Sequence, residues 1–325
     1  MGADALSEVL RTVRLTGAVF FDVNARAPWV AEQPGREAVL PKVLPGAEHL
    51  IAYHVVTEGR CYASLIGGEP VPVKAGEVVV FSHGDAHTMS SDPGLRADPV
   101  PADFMDIAAA GPLPFAVTEG AAEGPATRLV CGFLACDSRP FNPLLDCLPP
   151  VITLSERDGG DGWLTELCRF ATLESAQQRA GGESILARLS ELMFIEVVRR
   201  YLGTLPAGQG GWLAGLRDGA VGRALSLLHA RPADDWTLEE LARQVGVSRS
   251  VLAERFTGLI GLPPMHYLAR WRMQLAAGLL RSGANMANVA AATGYASEAA
   301  FSRAFKKLVG MPPSAWRQAG GPDRE

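Results

Sequence analysis

The sequence predicts a multidomain α+β protein: an N-terminal antiparallel β-barrel or sandwich, a helical connector, and an all-α C-terminal unit with two helix-turn-helix motifs. Three observations carry this. From about residue 16 to 135, short β-prone runs are broken by Gly and Pro at the spacing of an antiparallel barrel or sandwich. Beyond Pro149-Pro150 the apolar period becomes helical. Near the C-terminus, a pattern of short apolar helix, Gly turn, Ser cap and second helix occurs twice. A chain of 325 residues is long enough for more than one core. The predicted parts are residues 1–150, 151–210 and 211–325.

In chain order, residues 4–13 read as a short amphipathic helix. The β-prone runs are Gly17–Val23, Leu50–Val56, Cys61–Ile66, Gly76–Phe81 and Arg128–Leu134. Residues 91–125, rich in Pro, Gly, Ala and Asp, predict a long mobile excursion. Two helices follow at about 161–179 and 183–202; in the second, Ile185, Leu189, Leu192, Ile195 and Val198 form an apolar stripe suited to dimerisation. The stretch Leu205-Pro-Ala-Gly-Gln-Gly-Gly211 predicts a linker.

Composition narrows the function classes. No apolar run approaches the length of a membrane span, and the N-terminus lacks the basic and apolar regions of a secretory signal. Five Cys without framework spacing favour a reducing compartment, so the predicted location is cytoplasmic. The net charge of −5 hides an asymmetry. Residues 1–214 carry 16 Lys+Arg against 26 Asp+Glu, whereas residues 241–320 carry 10 against 2. A local surplus of that kind is what phosphate neutralisation on DNA needs.

The surplus coincides with the repeated motif. In the first copy, Thr237 and Glu240 form a capping box, Gly246 makes the turn and Ser248 caps the second helix. Leu252, Phe256 and Leu259 fall on one face of that helix, with Ser250, Ala253, Glu254 and Thr257 opposite. In the second copy, Gly294 turns and Ser297 caps; Phe301, Phe305 and Leu308 point inward, leaving Glu298, Ala299, Ser302, Arg303 and Lys306 for bases and phosphates. Pro263-Pro264 opens a long helix between the copies, a stiff spacer for two readers of successive major grooves.

The runs Ala292-Thr-Gly-Tyr-Ala-Ser297, Phe301-Ser-Arg-Ala-Phe-Lys306 and Gly310-Met-Pro-Pro-Ser-Ala-Trp-Arg317 make residues 218–319 resemble the DNA-binding domain of the AraC/XylS family of bacterial transcription regulators. The resemblance implies base-reading positions at Ser250, Ala253, Glu254, Glu298, Ala299 and Arg303, to which Arg249 and Lys306 add phosphate or base contacts. It also implies a homodimer on operator DNA, acting as an activator that engages RNA polymerase. Several of the base-reading positions are small or acidic here, which shifts weight toward shape readout.

In the N-terminal half, four of six His lie between 49 and 87. The runs Ala52-Tyr-His54, Glu58 and His83-Gly-Asp-Ala-His87 resemble the two motifs of the cupin barrel, with Ala52 where the first His ligand usually stands. The resemblance leaves His54, Glu58 and His87 as a set for Zn, Ni, Mn or Fe(II), with His83 or His49 as a fourth donor. The same residues also read as metal-free pocket or core residues around a small-ligand site. The run from Arg128 to Leu145, with the His83–His87 stretch, resembles the cupin subclass of these regulators that includes reactive-chlorine sensors. Cys131 and Cys136 are accordingly candidates for a thiol switch, although their opposite strand parity argues against a direct disulfide. The leading expectation is a non-enzymatic regulator answering a small-molecule, metal or redox signal. The alternative is a metal-dependent cupin oxygenase or isomerase fused to a DNA-binding module.

Overall fold

In the computed structural model, which describes residues 4–101, 104–106, 114–155, 163–177, 179–206 and 210–319, the β-prone runs form two sheets. The strands are β1 (Thr16–Arg26), β2 (Val30–Gln33), β3 (His49–Glu58), β4 (Arg60–Leu65), β5 (Val71–Lys74), β6 (Val78–Phe81), β7 (His87–Ser90), β8 (Phe115–Gly120), β9 (Ala126–Cys136) and β10 (Val151–Leu154). One sheet has the order β10-β6-β3-β9-β1-β8 and the other β2-β7-β4-β5. Every pairing is antiparallel except that of β8 with β1. The core between the sheets is built from alternate residues of these strands, among them Ala52 and Val56 of β3 and Leu129, Cys131 and Phe133 of β9.

The excursion expected at 91–125 is only partly irregular. It contains β8, which turns Phe115, Val117 and Glu119 inward and the alternate residues to solvent. Residues 102–103 and 107–113 of that stretch lie outside the described residues. Among the described residues, no helix is long and apolar enough to cross a membrane.

The chain divides into two compact units whose boundaries differ from 1–150, 151–210 and 211–325. Residues 15–137 and 148–204 form one unit, while 1–14, 138–147 and 205–325 form the other. The connector helices, α3 (Trp163–Gln177) and α4 (Gly182–Thr204), therefore belong to the barrel, and α2 (Arg36–Val43) lies within the barrel as well. The reason is packing on one face of α4. Leu186, Phe194 and Val197 are buried, and Tyr53 donates from its hydroxyl to Ser190 Oγ at 2.6 Å, since Ser190 itself donates to the Leu186 carbonyl. The predicted stripe on α4 is split by this packing. Val198 is fully buried and Leu189 and Ile195 are half-buried, while Ile185 and Leu192 stay exposed.

The helical unit contains α1 (Ala5–Thr12), α5 (Trp212–Arg217), α6 (Val221–Ala230), α7 (Leu238–Val245), α8 (Arg249–Ile260), α9 (Pro264–Arg281), α10 (Met286–Ala292), α11 (Glu298–Val309) and α12 (Pro313–Ala319). Asp4 caps α1 by accepting from the Ser7 amide, and buried Ala5 and Val9 seat it against α6 and α9. The stretch 138–147 is held by Phe141, whose amide donates to the buried Gln274 Oε1 at 3.0 Å and whose ring lies under the Arg270 guanidinium at 4.4 Å. The middle of the predicted linker, residues 207–209, is outside the described residues.

The contact of α4 with β1 depends on a missing side chain. A Cβ on Gly17 would lie 2.8 Å from the Ala187 carbonyl oxygen and 2.9 Å from its Cα. Backbone cannot rotate away, so Gly17→Ala should lower stability by about 1–3 kcal/mol through overpacking. Urea unfolding of the variant checks this, and an unchanged midpoint would show that α4 yields easily.

Candidate nucleic-acid interface and effector cavity

Local chemistry places each reading helix. The Thr237 hydroxyl accepts from the Glu240 amide at 3.1 Å and starts α7. The second half of the capping box does not form, because the Glu240 carboxylate is taken by Arg243 and Gln244. Gly246 adopts φ 76°, which closes α7 and lets the chain turn, and Ser248 caps α8 by accepting from the Val251 amide. In the second motif Asn285 caps α10, Gly294 sits at φ 73°, and Ser297 accepts from the Ala300 amide to start α11. A Cβ on Gly294 would lie 2.5 Å from the Ala233 carbonyl oxygen, so Gly is required there for space as well as for φ.

Burial then sorts the helix faces as the sequence predicts. Leu252, Phe256, Phe301 and Phe305 are fully buried, while Leu259 and Leu308 are half-buried. Arg249, Ser250, Glu254, Glu298, Ala299, Arg303 and Lys306 are exposed and Ala253 is half-buried. The structure adds what the sequence could not, namely which cations are already engaged. Arg255 pairs with Asp218, Arg243 with Glu240, Arg272 with the Pro232 and Asp234 carbonyls, and Arg317 with the Ala284 carbonyl. The side chains of Arg249, Arg303, Lys306 and Lys307 make no hydrogen bond or ion pair with the described residues. Lys307, not among the sequence candidates, lies four residues after Arg303 and so shares its helix face. One free cation thus lies on α8 and three lie on α11.

The platform beneath these helices holds a buried polar chain. Trp212 Nε1 donates to the Tyr267 hydroxyl at 2.7 Å, and that hydroxyl donates to His229 Nε2 at 2.7 Å. His229 also stacks on Trp271 with ring centroids 4.1 Å apart. The chain ties α5 and α6 to the spacer helix α9. Burial pushes the His229 imidazole down to about 3, so it is neutral and can accept from the tyrosine.

The barrel brings His54 and His87 together, with Nε2 atoms 2.9 Å apart. It does not bring Glu58. The pairing of β3 with β9 shifts register between Val56 and Glu58, and that bulge turns Glu58 outward to solvent beside Arg128. His49 is bound to the Ser82 carbonyl at 2.7 Å and His83 to the Leu148 carbonyl at 3.0 Å, so neither supplies a fourth donor. Among the described residues no cluster of three or more His, Cys, Asp or Glu is assembled for a metal. The residues present therefore do not fit the expected divalent metal set.

The His pair has a defined proton order. The Asp85 carbonyl can only accept, so His87 donates to it from Nδ1 at 2.8 Å. Burial pushes His87 down to about 4 and lowers His54 as well, so both rings are neutral. His87 Nε2 then accepts from His54 Nε2, and His54 Nδ1 is left as a buried lone pair without a partner.

His54 borders a cavity of about 380 Å³ inside the barrel. Its walls are apolar and aromatic, with Phe21, Trp29, Phe104 and Phe133 prominent, and Glu32, Asp98 and Glu119 are its acidic members. The sequence marks this site through His54, while most of its other residues come from strands a hundred positions apart and could not be assigned to it. Cys131 lies on the wall opposite His54 in the β3–β9 register and is buried, as is Cys136. Burial raises both thiols, Cys131 well above the ordinary range. They are five residues apart on an extended strand, about 16 Å, so they do not form a pair poised for a disulfide.

Comparison with known proteins agrees with this architecture. Residues 4–203 match the cupin family and residues 241–319 match a helix-turn-helix domain family. A putative AraC-like transcription regulator of Streptomyces lividans is 34% identical over 279 residues, covering 84% of this chain and 88% of that protein. The transcriptional regulator AlkR of Acinetobacter baylyi is 28% identical over 318 residues, covering 97% and 99%. The RCS-specific transcriptional activator RclR of Escherichia coli K12 is 24% identical over 278 residues, covering 84% and 86%.

The buried His229 has a measurable consequence. An unfolded imidazole titrates near 6.5 and the folded one at about 3, so between those values only the unfolded chain holds the proton. Stability contributed by this group is complete above about pH 6.5 and falls as pH drops, by up to about 1.4 kcal/mol per unit. Chemical unfolding at pH 7.5, 6 and 5 should show this slope together with those of the buried imidazoles His54 and His87, and His229→Gln should make it shallower. Equal slopes in the two proteins would remove His229 as the cause.

Proposed function

The chain belongs to the AraC-type transcription regulators with an N-terminal cupin domain, and on that premise we propose how it reads DNA and takes its signal. The family's helix-turn-helix domain binds operator DNA, and the relatives are regulators rather than enzymes. In this chain Arg249, Ser250, Ala253 and Glu254 on α8, with Glu298, Ala299, Arg303, Lys306 and Lys307 on α11, form the reading surface. The observation that carries this assignment is the set of four unengaged cations on those two exposed helices, where every other Arg of α7–α12 is held by a protein group. Lone cations of this kind are available for phosphates and guanine edges.

The effector is a small organic molecule held in the barrel cavity, and the two strands lining one of its walls carry the signal. β1 and β9 pair along their length and contribute Phe21, Leu129, Cys131 and Phe133 to that wall. β1 is preceded by the segment containing α1, and β9 is followed by 138–147; both segments are built into the helical unit. Expansion of the cavity therefore acts through covalent backbone on the elements seated around α9. The protein acts as a homodimeric activator in the cytoplasm, and RNA polymerase is its partner at the promoter. Dimerisation is supported by exposed apolar side chains on both connector helices, where Phe170, Leu173, Ile185 and Leu192 are each about 40–50% exposed.

Arg303→Ala should weaken binding to a sequence selected from random DNA by about 1–3 kcal/mol, with much less effect on nonspecific DNA. Fluorescence anisotropy with both duplexes measures this, and an equal loss on the two would make Arg303 a phosphate contact only. For the dimer, Leu192→Asp should convert the protein to monomer in light scattering at micromolar concentration. A variant still dimeric, or a monomeric parent, would move the interface elsewhere or remove it.

A further inference from the structure

We propose that the barrel cavity selects a lipophilic organic cation, an ammonium group on a small aromatic or apolar body. The proposal rests on the reading of this cavity as the effector site. It goes beyond that reading by assigning the charge of the ligand.

Size and lining set the body of the ligand. About 380 Å³ is at the lower end of the range for small-molecule pockets. Phe21, Phe104, Phe115 and Phe133 form one aromatic cluster, with Phe21 6.3, 6.4 and 6.1 Å from the other three ring centroids. Phe21, Phe104 and Phe133 are in the cavity wall, and Trp29 lines it as well. Aromatic faces carry a negative potential that attracts a desolvated cation and repels an anion.

Charge sets the head group. Among the described residues lining the cavity there is no Lys or Arg, while Glu32, Asp98 and Glu119 are present. The whole stretch 97–125 contains five acidic residues and no Lys or Arg. Glu32 is already neutralised, because Arg96 holds both of its oxygens at 2.6 and 2.8 Å. Glu119 is different. It projects inward from β8, burial raises its acidity constant's midpoint, and no cation offsets that burial. An ammonium group would compensate a carboxylate that the fold leaves half-buried and unpaired. A ligand carboxylate would instead meet Glu119 and Asp98 with no positive wall residue to receive it.

The proton order at His54 agrees. Its Nδ1 is a lone pair without a partner, so the ring can accept an N–H from a ligand and has no proton there to donate to an anion. The unpartnered Trp29 Nε1 and Gln33 Nε2 are the opposite kind of group, both donors. A neutral ether or carbonyl oxygen on the same ligand satisfies them without a negative charge.

The test uses three probes with one apolar body and different heads: 4-phenylbutylamine, 4-phenylbutan-1-ol and 4-phenylbutyrate. They are titrated into the full-length protein by calorimetry at pH 7.5. The amine should bind at least tenfold more tightly than the alcohol, and the carboxylate should bind most weakly. Glu119→Gln should bring the amine to the level of the alcohol while leaving the alcohol unchanged. Equal binding of all three, or tightest binding of the carboxylate, overturns the charge assignment. So does an amine preference that survives in Glu119→Gln. In those cases, loss of binding in the cavity-filling Val117→Trp variant keeps the cavity as the effector site. Binding of none of the three overturns the cavity reading along with the charge.

Discussion

The barrel depends on β9 being paired along its length on both sides. Its register with β1 runs from Thr16 opposite Ala135 to Arg26 opposite Ala126, and with β3 from His49 opposite Cys136 to Glu58 opposite Arg128. A strand fixed on both edges cannot slip by one residue without turning its whole inner face outward. The inner face is the cavity wall, and Gly132 between its members has a second role. A Cβ there would lie 2.5 Å from the Tyr53 hydroxyl, so the glycine leaves room for Tyr53 to reach Ser190 on α4. One strand thus sets the cavity and admits the contact that seats the connector helix on the barrel.

That constraint also accounts for two sequence expectations that the fold does not realise. His54, Glu58 and His87 have the residue types of a metal set, and uninterrupted alternation would put His54 and Glu58 on the same face of β3. The bulge after Val56 breaks the alternation, and only the paired strand reveals where the extra residue goes. Cys131 and Cys136 lie in β9, where full pairing and complete burial raise their thiols instead of activating them. The basic residues flanking them in sequence are engaged elsewhere: Arg128 reaches Asp22 and Arg139 lies over the Trp316 ring.

The parts that were legible in the sequence are those written in local chemistry. Thr237, Ser248 and Ser297 cap helices through amides three residues away, and Gly246 and Gly294 take positive φ at the turns. Such signals need no partner far along the chain, so the double motif and its inward Phe residues could be read directly. A small-ligand site around His54 could be read, but the rest of its lining could not, because the walls are assembled from β1, β2, β3, β8 and β9 and from an acidic stretch that reads as loop. The unit boundaries were hidden for a related reason. The amphipathic helix at 4–13 is visible in the sequence, but periodicity does not say which core its apolar face will join.

The distribution of engaged and free cations bears on how the two reading helices divide their work. Composition alone credits residues 241–320 with ten bases, but several are consumed in holding the unit together: Arg255 on Asp218, Arg272 on two carbonyls, Arg317 on a third. What remains is concentrated on α11, where Arg303, Lys306 and Lys307 are exposed, whereas α8 offers Arg249 beside an exposed Glu254. Phosphate neutralisation follows the number of free cations, so the proposed reading surface has its anchor on α11. With Ser250, Ala253 and Glu254 in place of long donors, α8 is suited to follow groove shape and to exclude wrong sequences more than to add affinity. On that proposal the stiff α9 between them converts firm anchoring at one groove into accurate placement at the next.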